Sequence, residues 1–466
     1  MDASEDHRNT PYNGYFTAPT PPEDAELTHV EKGSPGGEYL RRYWQPIALS
    51  TELADLPLKI RMFGEDLILF RTTNGDYGLL DKHCPHRGTS LEFGLATDCG
   101  LRCCYHGWLF APDGTILETP GDPPGSTLKN RLRHGAYPVR EYCGLIFGYF
   151  GPPEAIPEFP IYDSYEYPDT TLVPYSITYP CNWLQVHENV MDPAHTVFLH
   201  TRVTFAQFAA DVWGQLPQMD FVETPTGMIY VTSRRWGDKV WVRSNDILLP
   251  NLAQVGHVWE DGQQERQFTR VGITRWTTPI DNRTCKVIGW RHFNDEVNSR
   301  GLGKPEECGV EKVDFYGQTG FDLSYEERQR APGDYDAIVS QRPIAIHALE
   351  HLTYCDKGVA MLRRLLRRNI RKVAAGDRAP EPTPSAAGVV PTYCHDTVLT
   401  VPQAAEDDDA RVRAVGDAVT AIILGADTLA ASDRTAPDRT APDRTAQVRA
   451  RLRDYQGNCL AQQAAE

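Results

Sequence analysis

The chain has 466 residues, of which 41% are hydrophobic, so it can bury a substantial core and form two or three domains. Its formal net charge of −16 disfavours nucleic acid or an anionic membrane surface as a partner, because both are negatively charged. We therefore expect small molecules and proteins as partners. The acidic N-terminus has no signal-like segment, and the eleven cysteines show no disulfide-like rhythm, which together predict a cytoplasmic protein.

The first third of the chain is predicted to form an arm and a small β domain. Residues 1–30 are rich in Pro, Asp, Glu and Thr with weak periodicity, which is typical of a flexible arm. Within residues 31–155, short apolar alternations between Leu58 and Phe150 are broken by turn signals such as Asn74-Gly75. This pattern predicts several short strands in an all-β domain.

The remainder is predicted to form a mixed domain and a tail. Residues 156–376 combine helix signals, over 182–200 and 344–373, with strand-like stretches, which favours an α+β domain. Beyond residue 376 the composition turns to Pro, Ala, Asp and Arg, with a near-repeat that begins at Asp433. We expect 377–466 to be a largely disordered, low-complexity tail that contributes little to catalysis, although 410–430 could form a helix.

Two Cys-His pairs lie in turn-rich segments that follow predicted strands. Cys84-Pro85-His86 is followed, after sixteen residues, by Cys103-Cys104-Tyr105-His106. In a Rieske [2Fe–2S] centre two cysteines hold one iron and two histidines hold the other. A zinc finger instead places its two cysteines at one end and its two histidines at the other. The pattern therefore predicts a Rieske cluster bound by Cys84, His86, Cys103 and His106.

A second set of candidate metal ligands lies further along the chain. His195 and His200 are five residues apart in a segment with helical character. Non-heme Fe(II) enzymes hold iron with two histidines and a carboxylate on one face. Side chains five apart converge only if the helix is locally distorted, since ideal neighbours are three or four apart. Asp192 lies three residues before His195, on the same predicted helical face, where its carboxylate could orient that histidine.

These motifs resemble a known family. Cys84-Pro-His-Arg-Gly and Cys103-Cys-Tyr-His106-Gly-Trp are similar to the Rieske module of the Rieske non-heme iron oxygenases. Residues 33–53 (GSPGGEYLRRYWQPIALSTEL) resemble the lead-in of the phthalate 4,5-dioxygenase-like branch. The resemblance covers roughly residues 30–376. It implies an α+β fold class with an all-β Rieske domain and a helix-grip (Bet v 1-like or START-like) catalytic domain.

The resemblance also bears on the third iron ligand. Spacing alone leaves the acids of residues 322–336 and Glu350 open. In the family an aspartate lies seven residues before Gln or Met and nine before Pro, and Asp334 fits this offset ahead of Gln341-Arg-Pro343. Asp336 is the alternative, and it could equally be a solvated acid at a helix start.

Two further roles follow from the resemblance. In the family the aspartate that matches Asp192 bridges the iron histidine of one subunit to a Rieske histidine of the next, which makes it the catalytic residue of the electron route and implies a homotrimer. Arg243 lies seven residues before Pro250 on a predicted strand, as in the branch's pattern, and could anchor a substrate carboxylate. A structurally paired arginine is the alternative.

The function implied is that of the oxygenase component of a Rieske-type system. It would use O₂, a [2Fe–2S] cluster and mononuclear Fe(II) to hydroxylate an aromatic ring or remove an O-methyl group, on a carboxylated or phenolic substrate. A separate reductase would deliver electrons from NAD(P)H, because no dinucleotide-binding Gly-rich fingerprint follows a predicted strand. The alternative is a Rieske electron-transfer protein with a non-catalytic binding domain, which would hold two irons per chain rather than three.

Overall fold

The structure is a computed structural model that describes residues 10–201, 211–256, 268–296, 303–315, 317–385, 388–432 and 444–463. The first nine residues of the predicted arm and the near-repeat from Asp433 to Asp443 lie outside the described residues. Among the described helices, none is both long and apolar enough to cross a membrane.

The N-terminal part contains three small antiparallel sheets, with strand orders β2-β3-β4-β9, β1-β11-β10 and β5-β6-β7-β8. Alternate side chains of the paired strands meet in small cores, as the short apolar alternations predict. Three short helices accompany these sheets: α1 (Ala25–Thr28), α2 (Pro35–Leu40) and α3 (Leu128–Arg131). The strands are β1 (Trp44–Leu49), β2 (Leu58–Met62), β3 (Glu65–Arg71), β4 (Tyr77–Asp81), β5 (Leu95–Ala96), β6 (Leu101–Arg102), β7 (Leu109–Phe110), β8 (Ile116–Glu118), β9 (Ala136–Tyr137), β10 (Val139–Tyr142) and β11 (Leu145–Tyr149).

One larger antiparallel sheet forms the centre of the second part, with the order β12-β18-β17-β16-β15-β14-β13 and with β19 paired to β15. Strand β15 pairs with β16 at its C-terminal end and with β19 along the rest, so β19 fills the space beside β16. The strands are β12 (Thr171–Tyr179), β13 (Gln218–Glu223), β14 (Gly227–Trp236), β15 (Lys239–Leu248), β16 (Leu252–Gly256), β17 (Val271–Asp281), β18 (Thr284–Phe293) and β19 (His395–Thr400).

Helices cover both faces of this sheet. Its inner face, which carries Tyr179, Tyr230 and Ile273, packs on helices α4 and α8 in the largest core cluster. Its outer face, which carries Val231 and Trp276, packs on α9 and α10 at one end and on strands β1 and β11 at the other. The helices are α4 (Trp183–Glu188), α5 (His195–Phe198), α6 (Tyr325–Arg330), α7 (Asp334–Val339), α8 (Lys357–Ala374), α9 (Asp408–Ser432) and α10 (Arg444–Gln463).

The prediction of a largely disordered tail over 377–466 is wrong for the described part of that segment. It supplies β19, α9 and α10, and the central helix expected over 410–430 is present as α9. Val412, Val415 and Val419 recur at helical spacing and are at most 2% exposed against the outer face of the sheet. This part of the tail therefore packs against the larger sheet, because its apolar positions are buried there.

The end of the predicted flexible arm is also ordered. Leu27 and Val30 are fully buried in the largest core cluster. Asp24 and Glu26 form ion pairs with Arg367 and, for Glu26, with Arg371 on helix α8. Buried apolar side chains and paired charges together hold residues 24–30 against α8.

Candidate metal centres

Two loops at one end of the N-terminal part carry the predicted cluster ligands. The loop after β4 contains Cys84, and the loop between β6 and β7 contains Cys103. Both close in the same way: the N–H of Gly88 donates to the carbonyl of Cys84 (2.8 Å), and the N–H of Gly107 donates to that of Cys103 (3.1 Å). The two glycines have φ values of 76° and 75°, which side chains with a Cβ rarely adopt. The chain thus builds one loop conformation twice.

The four predicted ligands lie across these loops from one another. Cys84 and Cys103 are each 3% exposed and in contact through their thiols, and burial raises the pKa of Cys84 to about 11. The rings of His86 and His106 lie 4.5 Å apart nearer the surface, and His86 stacks on Trp108. Two buried sulfurs and two more accessible imidazoles are the donor set that a Rieske cluster requires.

The inner face of the larger sheet carries the second centre. The ligand atoms of His195, His200 and Asp334 all lie within 4.8 Å of one another. Oδ1 of Asp334 is 3.4 Å from Nε2 of His195 and 3.2 Å from Nε2 of His200. The histidines come from α5 and the residues that follow it, whereas the aspartate is the first residue of α7.

The donor atoms of this triad suit a divalent cation. Oδ1 of Asp334 is buried and accepts no well-aligned hydrogen bond, although it faces two imidazoles. Burial raises the pKa of Asp334, but the charges and hydrogen bonds of His200 and His195 outweigh it and hold that pKa well below its usual value. A buried carboxylate that stays ionised beside two ring nitrogens is the ligand set of a mononuclear non-heme iron site.

Neighbouring groups orient two of these candidate ligands. The Nδ1 of His195 makes a short contact with the backbone carbonyl of Asp192, which directs Nε2 of the ring towards Asp334. Gln318 donates from Nε2 to Oδ2 of Asp334 (2.8 Å) and accepts at Oε1 from the hydroxyl of Tyr179 (3.3 Å). Sequence reasoning missed Gln318 and Tyr179, because each lies far from the triad along the chain and belongs to no motif.

Asp192 lies beside His195, but not on a shared helix as predicted. Its backbone (φ −112°, ψ 85°) is not helical, and it separates a short 3-10 helix from α5. Its Oδ1 accepts from the backbone N–H groups of Ala194 (3.1 Å) and His195 (3.3 Å). The aspartate therefore ends one helical segment and starts the next, and this break supplies the distortion that brings residues five apart to one centre.

Asp336, the alternative third ligand, lies away from the triad contacts. Its carboxylate pairs with Arg328 and accepts from the backbone N–H of Gly333 at the start of α7. Of the two aspartates, only Asp334 therefore lies next to His195 and His200.

Arg243 lies on β15 and is 4% exposed. Its guanidinium pairs with Asp396 of β19 at 3.3 Å and donates to the carbonyl of Gly256 at 3.1 Å. The predicted substrate role stays a prediction, but this ion pair alone explains why the side chain is charged and buried. It is the structural alternative that the sequence left open.

Taken together, a Rieske-type module and a sheet domain with a His-His-Asp centre define a class: enzymes that pass single electrons to a mononuclear iron that activates oxygen. Comparison with known proteins agrees. The family model of the Rieske [2Fe-2S] domain matches residues 43–141.

Relatives match far more of the chain. The tert-butanol monooxygenase / tert-amyl alcohol desaturase oxygenase subunit of Aquincola tertiaricarbonis is 42% identical, over 92% of this chain and 94% of its own length. Phenoxybenzoate dioxygenase subunit alpha of Ectopseudomonas oleovorans is 38% identical, over 76% and 86%. The phthalate 4,5-dioxygenase oxygenase subunit of Pseudomonas putida is 31% identical, over 77% and 88%. The crystal structure of dicamba monooxygenase bound to dicamba shares the fold, with a TM-score of 0.56 at 19% identity over 72% of this chain and 99% of that one.

The chain therefore belongs to the Rieske non-heme iron oxygenases, as an oxygenase component. These comparisons confirm the family, the fold class and the cofactor set predicted from the sequence, namely a [2Fe–2S] cluster and a mononuclear iron. They favour the oxygenase over an electron-transfer protein with a non-catalytic second domain.

Proposed function

We propose that His195, His200 and Asp334 hold the mononuclear Fe(II), and that the chain uses it to oxygenate an aromatic compound. The observation that carries this proposal is the convergence of these three side chains on the inner face of the sheet. When bound, the two metal groups supply stepwise electron delivery and O₂ activation. The surrounding residues orient the ligands. The backbone carbonyl of Asp192 fixes the tautomer of His195, and Gln318 donates a hydrogen bond to one oxygen of Asp334.

We further propose that Cys84, His86, Cys103 and His106 bind the [2Fe–2S] cluster. Their burial pattern supports this assignment, since the sulfurs lie inward and the histidines lie nearer the surface. An accessible histidine edge suits a cluster that exchanges electrons with other proteins. The electrons would come from a separate NAD(P)H-dependent reductase, in the cytoplasm; the eleven free cysteines fit a reducing compartment.

The chain is proposed to work as a homotrimer in which Asp192 bridges His195 to a cluster histidine of the adjacent subunit. Two features support the bridge. Asp192 is only partly buried while it contacts the iron histidine. Near the cluster loops, Phe93, Leu95 and Tyr105 are 56–68% exposed, which is typical of a surface that another chain covers. A head-to-tail ring would bring these two regions together.

Two substrate classes are supported by different relatives. Phenoxybenzoate dioxygenase and phthalate 4,5-dioxygenase, by their names, act on aromatic acids, and we favour an aromatic substrate. The second candidate is a tertiary alcohol. It is favoured by the relative named tert-butanol monooxygenase, because that match extends over 92% of the chain and so includes much of the C-terminal segment.

Metal content tests the proposed iron site. Asp334→Asn should lower the iron content from about three to about two per chain, leave the Rieske absorption and EPR signals unchanged, and abolish oxygen uptake coupled to product formation. Asp336→Asn is the matched control and should keep all three irons, since its carboxylate only caps α7 and pairs with Arg328. Three irons in Asp334→Asn would refute the assignment.

Product analysis separates the two substrate classes. With reductase and NADH, oxygen uptake is measured with benzoates, methoxylated aromatics and tert-butanol. A hydroxylated or demethylated aromatic product is expected. Turnover of tert-butanol alone would replace the aromatic proposal by the second candidate.

A further inference from the structure

Buried arginines of this chain are paired, with one exception among the described residues. Burial of a guanidinium removes it from water, so a buried arginine normally has a carboxylate or carbonyl partner. The paired ones and their partners are Arg41 with Glu65, Arg234 with the carbonyl of Gln215, Arg243 with Asp396, Arg270 with Asp163, and Arg291 with Asp314.

Arg275 is the exception. It lies on β17 and is 9% exposed, and its Nε is wholly buried without a hydrogen-bond partner. Among the described residues its guanidinium has no carboxylate within 4.0 Å and no hydrogen-bond acceptor. An arginine side chain stays charged in a protein. The fold therefore retains a buried positive charge that has no ion-pair partner among the described residues.

This charge lies on the face of the sheet that carries the iron site. Ile273, two residues earlier on β17, packs on the inner face, and side chains two apart on a strand share a face. The charges of both Arg275 and Asp334 act on the phenol of Tyr179. Tyr179 in turn donates to Gln318, which holds Asp334. Arg275 is thus separated from the triad by a short row of polar side chains.

A second unpartnered group lies beside Arg275. Both ring nitrogens of His187, on helix α4, are buried without a hydrogen-bond partner. Burial and the charge of Arg275 lower the pKa of His187 to about 3, so its imidazole is neutral and adds no second positive charge that could attract an anion. The group beside Arg275 on helix α4 is therefore neutral, and no described carboxylate lies within 4.0 Å of the guanidinium.

We propose that Arg275 binds the carboxylate of the substrate and makes the site select an aromatic carboxylate over its neutral counterpart. This inference rests on the proposed function and specifies the substrate class of the same site. A planar carboxylate accepts two parallel hydrogen bonds from a guanidinium, and the pairing is strongest where water is excluded. Arg243, which the sequence offered as one candidate for this role, already has Asp396 as its partner.

Binding of two probes of equal shape tests the proposal. Benzoate and benzamide are titrated calorimetrically into the anaerobic holoenzyme. The wild type should prefer benzoate. Arg275→Gln should weaken benzoate binding at least tenfold and change benzamide binding less than threefold, whereas Arg275→Lys should retain part of the preference. Arg283→Gln is the matched control, because it removes an exposed arginine from the same hairpin and should leave both affinities unchanged.

Thermal stability distinguishes a binding residue from a structural one. Removal of a buried charge without a partner should leave the melting temperature of Arg275→Gln equal to or above that of the wild type. Arg291→Gln, which leaves buried Asp314 unpaired, should melt at a lower temperature. A comparable loss in Arg275→Gln would show a structural role and overturn the proposal.

Two other outcomes would also overturn it: a wild type that binds benzoate no better than benzamide, and an Arg275→Gln variant that keeps the benzoate affinity. Failure of the proposed function has a different signature. A holoenzyme with all three irons and product formation but no preference for benzoate refutes only the role of Arg275. A wild type without the mononuclear iron refutes the oxygenase assignment of the triad, whatever benzoate does.

Discussion

Asp334 depends on an uncharged neighbour for its orientation. Gln318 is 4% exposed and holds Oδ2 of Asp334, so Oδ1 points at the two imidazoles. The amide also ties the carboxylate to Tyr179 on β12. An amide can do this without adding a charge beside the ligands, so it fixes direction and leaves the charge of the site to the triad.

Gln318→Leu should therefore weaken iron binding by about 10- to 100-fold, because both hydrogen bonds are lost while the buried volume is nearly kept. The measurement is competitive titration of the iron-free protein with Fe(II) and a chelator, with the Rieske spectrum as a check on folding. Gln329→Leu, at an exposed position of α6, should bind iron as the wild type does. Equal affinities in both variants would show that Gln318 does not orient the ligand.

Asp192 offers a sharper test of the electron route. Asparagine keeps the Oδ1 that accepts from Ala194 and His195, so the chain break before α5 should survive the change. Asp192→Asn should hold all three irons per chain but slow oxidation of the reduced cluster by about 10- to 100-fold, as measured by stopped-flow absorption. The exposed Asp220→Asn should react normally. Normal turnover in Asp192→Asn would contradict the bridge.

At this scale the sequence could identify candidate ligands that lie in motifs, but not the contacts between distant residues. His195 and His200 were predictable because they are close in the chain. Residue spacing alone could not decide between Asp334 and Asp336, since both lie in the first turn of α7. The structure distinguishes them, because Asp336 pairs with Arg328. For the same reason the sequence could not choose between a substrate anchor and a paired arginine at Arg243, because its partner Asp396 lies some 150 residues away.

Helix α9 shows how an amphipathic pattern can be hidden by its surroundings. Val412, Val415, Val419 and Ile423 are spaced three or four apart and at most 2% exposed. The flanking residues are rich in Ala, Asp and Arg, and that composition outweighed the periodicity in the sequence prediction. Periodicity is the better guide to burial, because a helix packs through one face whatever its mean composition.

Val419→Asp should lower the free energy of unfolding by about 3 kcal/mol or more, because it places an unpaired charge against the outer face of the sheet. Urea unfolding followed by tryptophan fluorescence measures the change. Ala421→Asp, at an exposed position of the same helix, should cost less than about 0.5 kcal/mol. If the two variants unfolded alike, α9 would not be packed as described.

Across the whole molecule, buried histidines make stability depend on pH. Burial lowers the pKa values of His187, His292 and His395 to about 3. In the unfolded chain each takes up a proton near pH 6.5, so the unfolded state gains protons as the pH falls from there towards 3. Asp246 acts in the opposite direction, because burial raises its pKa to about 7 and the folded state gains its proton first. Burial also raises the pKa of Glu188, and the three histidines outnumber these two acids.

The free energy of unfolding should therefore fall on the order of 1–3 kcal/mol per pH unit between pH 6 and pH 4. Denaturant midpoints over this range measure the slope. His292→Asn removes one of the three titrating rings and should give a shallower slope by about one proton. A variant slope equal to that of the wild type would mean that His292 is not neutral in the folded protein.

The overall architecture could be predicted from the sequence, but the strand pairing that completes the larger sheet could not. Two metal motifs, the β alternations of the first part and the mixed signals of the second identified the order of the domains. The pairing of β15 with β19 joins residues about 150 positions apart, and no local pattern specifies such a partner. Long-range strand pairing is therefore the part of the fold that the sequence does not predict.

That pairing sets an order of events during synthesis. Strand β19 occupies the space beside β16, on the edge of β15 that faces away from β14. Until residues 395–400 leave the ribosome, most of this one edge presents unpaired backbone groups. An open edge of this kind is a template for aggregation, and contacts that close long loops form slowly. A nascent chain that stops before β19 therefore has an incomplete sheet, in which this edge of β15 is still open.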